Sequence, residues 1–76
     1  MEKNKRFLEL KMLGRRHGYF MATVKYIKEN GQMVATPNRF FDEGGEEWRR
    51  HVYNNVHVCI FRKVGNVFVP QIFWKN

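Results

Sequence analysis

The chain has 76 residues and a single cysteine, Cys59, which bounds it to one domain (residues 1–76) with no internal disulfide. With 43% hydrophobic residues it is not a wholly disordered chain, and no apolar run approaches the roughly 20 residues of a membrane span. The lone thiol and the lack of a secretory pattern at the N-terminus lead to the expectation of a cytoplasmic protein with no membrane partner.

Net charge is +7, from 14 Lys and Arg against 7 Asp and Glu. Four of those acids, Asp42, Glu43, Glu46 and Glu47, fall within one short segment, so the rest of the chain is more one-sidedly basic. A field of this sign attracts phosphate polymers or acidic protein surfaces.

In chain order, Lys3, Lys5 and Arg6 mark a basic N-terminus, and residues 1–5 are expected to form a flexible arm. "RFLELKML" (6–13) alternates Leu8, Leu10 and Met12 with Glu9 and Lys11, which predicts a half-buried strand. Gly14 and Gly18 bracket Arg15-Arg16-His17. "YFMATVKYIK" (19–28) is aromatic and β-branched and predicts a second strand. Asn30-Gly31 then signals a hairpin into a third strand, "QMVAT" (32–36), ended by Pro37. Residues 38–45 read as a loop. "EEWRRHVYN" (46–54) is the one expected helix, capped by Asp42 or Glu43, with Trp48 and Val52 on its buried stripe. "VHVCIFRKV" (56–64), Gly65-Asn66 and "VFVPQIFW" (67–74) predict a second hairpin, with Pro70 at a sheet edge or bulge. The fold class is therefore mostly β (a small α+β protein): a five-stranded antiparallel sheet or small barrel in the order β-β-β-α-β-β.

If Gly65-Asn66 is a two-residue turn, Val64 opposes Val67, Phe61 opposes Pro70, Cys59 opposes Ile72 and His57 opposes Trp74. One face then carries Val56, Val58, Ile60, Val64, Val67, Val69 and Phe73. The other carries His57, Cys59, Phe61, Lys63, Phe68, Ile72 and Trp74. Both are apolar, so each needs a cover: the helix on one side, and on the other barrel closure, a bound partner or a second copy of the chain.

Candidate binding residues follow. Arg15 and Arg16, with His17, sit on a glycine-flanked turn where guanidinium groups can fork onto phosphate oxygens. Arg49 and Arg50 project from the helix away from Trp48. Lys63 accompanies Phe61, Phe68 and Trp74, aromatic rings suited to stacking on bases. Catalysis is not expected. The three histidines, His17, His51 and His57, sit in no recognisable catalytic motif, and the chain has no serine. His51, His57 and Cys59 lack the paired spacing of structural zinc, and no glycine-rich nucleotide motif is present, so neither metal nor cofactor is expected. The leading expectation is a small basic module that binds DNA or RNA without catalysis. The alternative is an inhibitor or adaptor that docks on an acidic protein through an apolar sheet face or an edge strand.

Overall fold

In the computed structural model, which describes residues 2–42 and 45–76, the segment Glu2–Leu13 is an α-helix, α1. It replaces the strand expected over 6–13; of the arm expected over 1–5, Met1 lies outside the described residues. The cause is local. Glu2 to Leu13 contains no β-branched residue and consists, apart from Asn4 and Phe7, of Glu, Lys, Arg, Leu and Met, all good helix formers. The alternation of Leu8, Leu10 and Met12 hid the spacing that matters, Phe7 to Leu10. Those two residues are 0% and 3% exposed, whereas Met12 is 86% exposed. Asn4 ties the helix to the far end of the chain. Its Nδ2 donates to the Lys75 carbonyl (2.7 Å), and its Oδ1 accepts from the Lys75 amide (2.9 Å).

Gly14 follows α1 with φ 71°, and Arg15–His17 forms one 3-10 turn that Gly18 closes in the left-handed region. Positive φ at both ends is what requires glycine there. Strands β1 (Tyr19–Glu29) and β2 (Gln32–Phe40) form the expected hairpin, with Asn30 and Gly31 at φ 52° and 80°. β2 does not stop at Pro37 but runs on to Phe40, shortening the expected loop. Val24, opposite Pro37, donates its amide to His57 on the other side, so this pair exchanges no ladder bonds and the proline nitrogen faces the sheet edge. A bulge lies beside it: two residue steps on β1, Ala22 to Val24, match three on β2, Phe40 to Pro37.

Helix α2 (Glu47–Tyr53) matches the expected helix within a residue at each end. Its N-cap is Glu46, with no side-chain capping bond; Asp42 is not the cap, and Glu43 lies outside the described residues. Strands β3 (Val58–Val64) and β4 (Val67–Phe73) complete one antiparallel sheet of four strands in the order β2-β1-β3-β4. The described residues therefore read α-β-β-α-β-β, with four strands rather than the five expected.

The second hairpin begins as expected, Val64 opposite Val67 and Phe61 opposite Pro70, and then slips. A bulge past Pro70 pairs Ile60 with Ile72 and Cys59 with Phe73. The slip moves Ile72 and Trp74 onto the Val58 and Ile60 face, and sends Phe73 to the face of His57 and Cys59. Proline supplies no amide to the ladder, which is why the register breaks there.

Each sheet face has its own core. Against the helices, Phe7, Leu10, Met21, Phe41, Trp48, Val58 and Ile60 pack together, with Val52, Ile72 and Trp74 at the margin. Phe7 and Trp74 meet edge to face at 5.2 Å, and Trp48 and Trp74 at 5.0 Å. Thr23, buried on this side, accepts the Arg39 amide at 3.0 Å. Ala22, Cys59 and Phe61 form the second core on the opposite face. Among the described residues no helix is long and apolar enough to cross a membrane.

Candidate functional site

Among the described residues no helix covers the second face. The sheet curls there into a half-barrel, bringing its two edge strands toward each other, so this face is concave. Three phenylalanines from three strands meet at its mouth: Phe20 of β1, Phe40 of β2 and Phe68 of β4. Ring centroids are 6.0 Å apart for Phe20 and Phe40, 5.4 Å for Phe20 and Phe68, and 5.3 Å for Phe40 and Phe68. The Phe40 to Phe68 contact joins the two edges. Below the trio, Ala22, Cys59 and Phe61 are 0% exposed. Burial pushes the Cys59 thiol up to about 11 despite backbone hydrogen bonds from Gln71 and Ile72, so it is neutral and inert at ordinary pH.

The trio is not sealed. Phe40 is 42% exposed, and a shallow cleft opens between Arg15, Phe20, Phe40 and Phe68. Two cations stand over its rings. The Arg15 guanidinium lies 5.4 Å from the Phe20 centroid and donates to the Phe41 carbonyl at 2.8 Å. The Lys63 ammonium lies 5.9 Å from the Phe68 centroid. The 3-10 turn and β3 are themselves joined, since the Lys63 amide donates to the Gly18 carbonyl at 2.8 Å. Arg15 therefore reaches the cleft from a fixed base, with one of its five N–H donors committed and the others available.

Of the residues singled out in the sequence, Arg15, Lys63 and Phe68 converge on this cleft. Arg16 and His17 stand exposed on the adjoining turn. Phe61 lies in the same face but fully buried, so it is the floor of the site and not a stacking platform. Trp74 is on the other face, wedged between Phe7 and Trp48, because the bulge after Pro70 turned it there. Arg49 and Arg50 belong to α2 on that helical side. Arg49 pairs with Glu46 at 3.1 Å and lies over Trp48. His51 packs on Phe41 and does not approach His57, which faces Tyr26 and Phe73.

Sequence reasoning missed Phe20 and Phe40. Phe20 alternates with Tyr19 and so falls on the opposite face from it, a usable signal. Phe40 stood in a segment read as loop, and only the extension of β2 past Pro37 delivers it to the mouth. The chain matches no family model, and comparison with curated proteins and with solved structures finds no match.

Proposed function

We propose that the protein is a small, non-catalytic nucleic-acid-binding module whose contact surface is the concave face. The observation that carries this reading is the convergence of an accessible phenylalanine trio with Arg15 and Lys63 at one open cleft. Unpaired bases stack on such rings, and flanking cations hold the backbone between them. Arg16 and His17 extend the basic rim along the turn. The net charge of +7 draws a polyanion toward the molecule from a distance. Duplex DNA hides its base faces and presents phosphates, so this surface favours single strands.

The test is a fluorescence titration with labelled single-stranded and duplex DNA and RNA at two salt concentrations. Micromolar or tighter binding, stronger for single strands and steep in salt, is the expected result. Phe40→Ala should then weaken binding by about tenfold or more, the effect of removing one stacking ring. Absence of binding to every oligonucleotide, or binding that ignores Phe40, overturns the proposal and turns attention to an acidic protein as the occupant of the cleft.

A further inference from the structure

The β1–β2 hairpin reaches beyond the rest of the sheet. β3 pairs with β1 only from Tyr19 to Thr23, and the last bond on that side runs from the Val24 amide to the His57 carbonyl. Among the described residues, no strand pairs with that edge of β1 from Lys25 to Glu29. Backbone direction alternates along a strand, so the amides and carbonyls of Tyr26 and Lys28 point outward as those of Val24 do. The turn gives the same parity independently. Glu29 and Gln32 flank a two-residue loop and face one another, which leaves Lys28 facing out. Among the described residues no strand or helix pairs with or packs along this edge. It exposes Tyr26 (48%) and Ile27 (42%), with Val34 beside Ile27 across the hairpin.

We propose that a second copy of this chain adds to this edge, β1 against β1, antiparallel and centred on Ile27. Two-fold symmetry leaves few registers, and the charges choose among them. Centred on Ile27, Tyr26 of each copy opposes Lys28 of the other, and these are the residues with outward backbone groups, so each pair exchanges two ladder bonds. Lys25 of each copy then opposes Glu29 of the other on the face that carries Ile27. The two Ile27 side chains meet at the axis, and with each Val34 they form a row of four aliphatic residues across the joined hairpins. Ammonium and ring are likewise opposed in each Tyr26 and Lys28 pair. Centring on Lys28 instead sets two ammonium groups against each other. Centring on Tyr26 leaves both Lys25 and Glu29 without an opposite charge. The Ile27 register alone satisfies hydrogen bonds, charge and apolar contact together, and it joins the two hairpins as one four-stranded ribbon, β2-β1-β1-β2.

Sedimentation velocity without nucleic acid, from about 1 μM to about 1 mM, measures the assembly separately from any binding role. A reversible monomer–dimer equilibrium is expected. Lys25→Glu should raise the dimer dissociation constant by about tenfold, because two attractive pairs become repulsive. The double exchange Lys25→Glu with Glu29→Lys should restore it to within about threefold. Lys28→Pro removes an amide that the hairpin's own ladder does not use, and should leave a folded monomer, checked by circular dichroism. A wild-type chain that stays monomeric at the highest concentration overturns the proposal. So does a dimer indifferent to Lys28→Pro, or one that the double exchange fails to rescue. None of these outcomes depends on whether the concave face binds nucleic acid.

Discussion

Truncating Phe7 tests the seating of α1 most directly. The ring is 0% exposed and touches Trp48 at 5.7 Å and Trp74 at 5.2 Å, so it links both helices to the end of β4. Phe7→Ala should cost about 3–5 kcal/mol, the loss of a buried aromatic plus the cavity it leaves. A domain of this length has a total stability of about 4–11 kcal/mol, so the variant loses a large share of it. At about 4–8 °C per kcal/mol, the midpoint should fall by at least about 12 °C. Leu10→Ala, one helical step along the same stripe, should cost about 2–5 kcal/mol. Met12→Ala, on the exposed side, should change stability by less than about 0.5 kcal/mol, and Leu8→Ala by less than about 1 kcal/mol. Urea and thermal denaturation followed by far-ultraviolet circular dichroism give all four values. The helical seating is refuted if Leu8→Ala or Met12→Ala matches Phe7→Ala, since that is the pattern of a strand buried through Leu8, Leu10 and Met12.

Other outcomes follow from the concave face and the turns. Cys59 should resist thiol reagents at pH 8 in the folded protein and react at the rate of unfolding, which a colorimetric thiol assay reads. Its pKa is about 11 in the fold against 9.0 unfolded, so only the unfolded chain ionises between those values. Stability relative to Cys59→Ala should therefore be constant below pH 9 and decline above it, by up to about 1.4 kcal/mol per pH unit, until the folded thiol also ionises. A relative stability that rises over that range would show the opposite linkage. Gly65 holds φ 61° in open space, so Gly65→Ala should cost about 1–2 kcal/mol through backbone strain alone, and an unchanged urea midpoint contradicts that. Arg16→Ala should reduce the salt dependence of nucleic-acid binding by about one phosphate contact while leaving the urea midpoint in place, and an unaltered slope removes Arg16 from the site.

Much of the molecule was legible in local chemistry. Asn30-Gly31 and Gly65-Asn66 marked both hairpins, because two-residue turns need positive φ. The α2 stripe of Trp48 and Val52 followed from helical spacing, and the bracket of Gly14 and Gly18 marked a tight basic turn. The misreading of α1 was avoidable, since its composition favours a helix throughout and only an eight-residue alternation argued otherwise. Period two and period 3.6 share too many positions over so short a window to be told apart by pattern alone.

The amino-acid sequence by itself determined a small basic chain with two hairpins, a short amphipathic helix and more apolar strand surface than one solvated sheet can carry. Only the tertiary structure decided which side of that surface is sealed and which stays open. Two bulges, one beside Pro37 and one after Pro70, change the strand parity, and a change of one residue exchanges the faces of everything beyond it. That is why Trp74 went into the helical core and why Phe40 came to the mouth of the cleft. Bulge positions depend on how neighbouring strands share hydrogen bonds around a proline, and that is a property of the assembled sheet and not of any one segment.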